Sequence, residues 1–87
     1  MRTPEIGEPV VFHDSNGRPH NGLVTCVHSA TCINLVHVEP DDTRQDTYGR
    51  QIDRPTSISH GSQEQVHGFY WRYPEEEPNP YKEPLAR

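Results

Sequence analysis

Two runs of β-branched and apolar residues, 22–28 (Gly-Leu-Val-Thr-Cys-Val-His) and 32–39 (Cys-Ile-Asn-Leu-Val-His-Val-Glu), lie three residues apart. Strand-forming runs that close together leave the chain little choice but a hairpin. If residues 29–31 are the connection, residue 28 faces 32 and residue 26 faces 34. Strict alternation then puts Leu23, Thr25, Val27, Ile33, Leu35 and His37 on one side. Val24, Cys26, His28, Cys32, Asn34, Val36 and Val38 fall on the other. The first side is the expected core side. The second is not polar either, so the hairpin is expected to be covered on both sides, in part by a partner.

Further strands are expected at 8–13 and 68–73, with a weaker one near 56–59. Asp14-Ser15-Asn16-Gly17-Arg18-Pro19 is dense turn chemistry, since Asn and Gly tolerate positive φ. Residues 40–50 read as a long polar loop, and 62–67 have room for one helical turn. Four to five short strands with turns between them predict an all-β fold, a small SH3-like barrel of antiparallel strands. The division expected is a lead-in at 1–7, a barrel at 8–73 and an extended Pro/Glu-rich arm at 74–87. Four prolines after Tyr73 exclude helix and central strand from that arm. It reads either as a floppy tail or as a segment docked through Tyr81 and Leu85, its only large apolar side chains.

Composition narrows the function. The chain has 87 residues, 30% of them hydrophobic, and a mean hydropathy of -0.97. That is too little apolar material to wall a deep, dry active-site cleft. No stretch reaches the ~18 apolar residues of a membrane span, and the start has no apolar signal region. The net charge is -5. Nucleic-acid binders draw affinity from counterion release by a basic patch, and none is visible, which argues against that partner class. Arg44, Arg50 and Arg54 are the candidate anion-binding residues, against a plainer reading as solvated loop arginines. Two cysteines without a wider framework fit synthesis in a reducing cytosol better than a secreted scaffold.

Chemistry-bearing residues are few. Cys26, His28 and Cys32 share a side of the hairpin and are the candidate metal ligands, but His37 points away and no paired-knuckle spacing occurs. No nucleophile–base–orienter set, phosphate loop or H-E-x-x-H is present, so no enzyme and no cofactor are expected. Phe69, Tyr70, Trp71 and Tyr73 form an aromatic cluster. Trp71 is the expected core residue, and Tyr70 and Tyr73 are candidates for an interface, together with Tyr81 and Leu85.

The motif order carries a resemblance. It runs Gly7-Glu8-Pro9-Val10-Val11-Phe12, then 23–29 (LVTCVHS) and 32–36 (CINLV), then 56–61 (TSISHG) and a closing Gly68, Trp71, Pro74. Over residues 7–74 this resembles a group of small proteins of tailed bacteriophages and prophages. Their pattern is an opening V-x-F/Y strand, a VTxVHS…CxNLxV hairpin, a TSVxHG segment and a terminal G…W…P. Ile58 stands where the group has valine, the 40–55 stretch is longer here, and the tail is not covered. The resemblance implies a phage origin and an SH3-like barrel, and it carries no activity or site. It makes the expected role a non-catalytic structural or accessory protein, made in the host bacterial cytoplasm and carried in the virion if structural. Its partners would be other phage proteins or copies of itself. Two alternatives are a host-takeover or anti-defence factor that binds a host protein or a nucleotide signal, and a nucleic-acid-binding barrel.

Overall fold

The computed structural model describes residues 2–63 and 68–78. These form an all-β structure, with no helix among the described residues and hence none long and apolar enough to cross a membrane. The elements are β1 (Pro9–His13), β2 (Pro19–Val27), β3 (Cys32–Val38), β4 (Gln45–Asp46), β5 (Gly49–Arg50), β6 (Ile52–Asp53), β7 (Ile58–Ser59) and β8 (Tyr70–Arg72). One antiparallel sheet runs β6-β3-β2-β1-β8, and β7 also pairs with β3. The expected helical turn at 62–67 and the arm beyond residue 78, with Tyr81 and Leu85, lie largely or wholly outside the described residues.

Local chemistry explains the turns. Between β1 and β2, the Asp14 carboxylate accepts the amides of Asn16 and Arg18 at 2.9 Å each, and Gly17 takes φ 81. Between β2 and β3, the amides of His28 and Ser29 both donate to the Cys32 carbonyl. The lead-in is not free. Gly7 donates to the Val24 carbonyl at 2.7 Å, and the Arg2 guanidinium lies 3.9 Å from the centre of the Tyr73 ring.

The hairpin register departs from strict alternation at one place. Cys26 faces Asn34 and Val27 faces Ile33, as the spacing predicts, but Val24 then faces Leu35. Thr25 is the extra residue of a β-bulge, so every β2 residue before it changes side. Val24 is buried and Leu23 is 48% exposed, the reverse of the alternation expectation, and Thr25 is exposed as well. Ile33, Leu35 and His37 do face inward, as expected.

The core is Val10, Phe12, Val24, Ile33, Leu35, Ile58, Trp71 and Tyr73, with Val27 and Phe69 packed against it. Trp71 is fully buried, as expected, and its indole N–H donates to the Thr31 carbonyl at 3.1 Å. A single bridge, His60 to Trp71, links the end of β7 to β8. No continuous ladder closes the sheet there, so the described residues make a sheet joined at one point and not a closed barrel. The polar 40–50 stretch also has structure: β4 and β5 form a two-residue hairpin of their own.

Candidate interaction surface

The bulge and the pairing register decide which side chains reach the outer side of the sheet. Pro9 faces Leu23 and Leu23 faces Val36, which makes one row. Val38 faces Ile52, which begins a second. Val38 and Ile52 are each 58% exposed. None of these positions carries a carboxylate, although the chain as a whole is acidic. A groove of about 450 Å³ opens beside them, lined by Thr25, Val36, Ile52, Arg54, Pro55 and Thr56 among others.

The groove exists because β3 has two short partners with a gap between them. β6 pairs at its end and β7 at its start. The 54–57 stretch bridges the gap. Pro55 accepts the Leu35 amide at 3.1 Å but has no amide to return, so the ladder cannot continue. Ser57 takes φ 54, a left-handed conformation, and the Asn34 side chain accepts its amide at 2.8 Å.

The arginines divide. Arg44 pairs with buried Glu39 at 2.8 Å and approaches Asp53 at 3.7 Å. Arg50 pairs with Asp42 and donates to the Pro40 carbonyl. Both brace the 39–53 stretch with their charge already offset. Arg54 lines the groove and makes no ion pair among the described residues. The three therefore do not form one anion site.

Tyr70 and Tyr73, read from the sequence as interface residues, are interior. Tyr70 is 2% exposed and stacks on His13 with centroids 4.6 Å apart. Tyr73 sits edge-on to Trp71, and its hydroxyl donates to the Arg2 carbonyl at 3.0 Å. Burial, the leading cause, pushes its phenol above its ordinary value. Alternation along β8 puts Tyr70 on the side opposite Trp71 and Tyr73, but the outer side at β8 is itself covered. Cys26 and Cys32 are free thiols, and the His28 ring is 2.9 Å from the Asn34 side-chain oxygen. Among the described residues, no group of three His, Cys, Asp or Glu is placed to hold a metal ion.

Among the other described histidines, His20, His37 and His60 form two hubs. At the first, His60 Nε2 lies 2.7 Å from Glu76 Oε1 and its Nδ1 lies 2.9 Å from the Ser62 hydroxyl. This has the residue types of a hydrolytic triad. The Ser62 amide, however, donates to the same Nδ1 at 3.0 Å, so the lone pair a general base would use is engaged in a local turn. Glu76 also accepts the Tyr73 amide at 2.7 Å. Burial would push the Glu76 carboxyl up, but the His60 and Tyr73 hydrogen bonds outweigh it and hold it below its ordinary value. The hub ties the end of β7 to the turn after β8, which is a structural role.

At the second hub, His20 and His37 stack with centroids 4.4 Å apart, beside Phe12. His20 Nε2 is 2.7 Å from Asp14 and His37 Nε2 is 3.9 Å from Asp53. Burial alone would raise the Asp14 carboxyl. Hydrogen bonds from His20 and the Arg18 and Asn16 amides outweigh it and lower it instead.

The fold and surface together define a small all-β protein with one side of its sheet packed and the other carrying exposed aliphatic side chains. Set against protein-family models, curated proteins and solved structures, the chain matches none of them.

Proposed function

We propose that this chain is a non-catalytic protein–protein interaction module, an SH3-like structural or accessory protein of phage type that docks on other proteins through the outer side of its sheet. The observation that supports this reading is the carboxylate-free aliphatic surface of Leu23, Val36, Val38 and Ile52 beside the Arg54 groove. An acidic chain that leaves one surface both apolar and free of like charge has a surface fit for burial. The phage context comes from the motif resemblance. The commitment of Arg44 and Arg50 to internal partners weighs against a nucleotide or nucleic-acid role.

The test is site-specific photo-crosslinking in the cells that naturally carry the gene. A photoreactive residue at Val38 or Ile52 is expected to crosslink to another protein, while one at exposed Arg18 is not. Crosslinks from neither outer position would overturn the docking reading. Mass spectrometry of purified particles addresses the virion role separately, and absence of the protein from them would remove it.

A further inference from the structure

We propose that the stacked His20–His37 pair is a proton-operated latch beneath β6 that sets how firmly the Val38–Ile52 pair is held on the outer side of the sheet. The argument starts from the pairing of β6. Only two residue pairs join it to β3: His37 with Asp53, and Val38 with Ile52. Neighbouring residues of a strand point to opposite sides. The exposed aliphatic pair is therefore presented by a ladder whose inner half is a histidine and a carboxylate.

Hydrogen bonding fixes the polarity of that inner half. His37 Nδ1 is 3.0 Å from the Val38 carbonyl, which can only accept, so Nδ1 carries a proton. In the neutral ring Nε2 is then a bare lone pair, and it faces the Asp53 carboxylate at 3.9 Å. The facing atoms of the neutral ring and the carboxylate are then both acceptors, with no proton to share. A second proton on the ring turns Nε2 into a charged donor aimed at Asp53, which draws β6 onto β3.

The surroundings decide how that proton is taken up. From β2, His20 lies parallel to His37 within 22° and 4.4 Å away, so a charge on one ring opposes a charge on the other. From the β1–β2 turn, Asp14 holds His20. From β1, Phe12 contributes an uncharged ring stacked on both. From the 39–53 stretch, Asp53 faces His37, Arg44 lies 3.7 Å from Asp53, and Glu39 offsets Arg44. Each histidine thus has its own carboxylate and shares a like-charge neighbour. A proton on His37 is the one that closes the latch.

That the latch regulates docking rests on the function proposed above; the latch itself does not. The experiment is an NMR titration of the full chain between about pH 8 and pH 5, where histidines change charge. The Val38 and Ile52 amide signals should shift together with the His37 ring protons, while Val11, on the β1–β8 side, stays still. Asp53→Asn removes the charge at which the His37 ring is aimed, so Val38 and Ile52 should no longer shift with the ring. If that variant does not fold, His20→Gln, which keeps a donor for Asp14 and removes the competing charge, should leave them shifting. Stationary Val38 and Ile52 signals in the natural sequence would overturn the latch and leave the docking reading to the crosslinking result. A latch that responds as described with no crosslinks from Val38 or Ile52 would instead overturn the docking reading alone.

Discussion

The two sides of the β2–β3 hairpin are made of similar residues and do different work. Inside, Val24, Ile33 and Leu35 meet Trp71 and are sealed. Outside, Leu23, Val36 and Val38 meet solvent and a groove. Composition does not separate the sides; partners do. The inner side is closed by an indole delivered from β8, far along the chain, and the outer side receives nothing comparable from the described residues. Hydrophobicity alone therefore does not assign a residue to the core of a sheet this small.

The sharpest way to break the comparison is to remove what closes the inner side. Trp71→Ala should cost about 3–5 kcal/mol, because loss of a fully buried ring leaves a cavity and removes the indole hydrogen bond to the Thr31 carbonyl. Chemical denaturation of the variant measures it, and a domain of this size is expected to be largely unfolded. Next comes a matched pair on adjacent residues. Val24→Ala should cost roughly 2 kcal/mol, since its side chain is buried. Leu23→Ala, although it deletes more atoms, should stay within about 0.5 kcal/mol, as surface changes do. Equal costs would mean the bulge is misplaced.

A third prediction concerns the seam at His60. Glu76 has its carboxyl held below the ordinary value of 4.5. A carboxyl lowered on folding adds stability above its unfolded value and loses it as pH falls through the folded one. Glu76→Gln should therefore flatten the acid limb of stability below about pH 4.5 and lower the plateau above it, in a thermal-melt series against pH. The smallest expected effect is on the outer side. Val38→Ser and Ile52→Ser should change the melting temperature by no more than about 2 °C, because both residues are already more than half exposed. Either change should nonetheless weaken crosslinking to a partner. A large loss of stability would place these residues in the core after all.

Much of the sheet is legible in the sequence because β-branched runs and the Asp14–Arg18 turn act locally. Strands β1 to β3 and the core role of Trp71 follow from them. What is not legible depends on partners distant in sequence. His60 is indistinguishable from a surface histidine until Glu76 arrives, and the same holds for His13, whose Nε2 accepts from Arg72 at 2.8 Å. Tyr70 reads as outward because alternation says so, and alternation cannot announce that His13 will cover it. Arg44 and Arg50 stand as anion-binding candidates or as solvated loop arginines because the sequence shows their charges and not their pairings. The two-residue strands β4 to β6 are too short for any period to register, while β7 falls in the weak strand expected near 56–59.

The bulge at Thr25 has a consequence for the chain as a text. A strand is written in a two-beat metre, and Thr25 is an extra syllable that shifts the metre for everything before it. Deleting that one residue would join Val24 directly to Cys26 and restore an unbroken beat, with Val24 still facing Leu35 and Cys26 still facing Asn34. The middle of the central strand is thus the one place in β2 where a residue can be lost without turning the fold inside out. Deleting Asn34, one strand over in β3, would send Leu35 and Ile33 to opposite sides and undo the core.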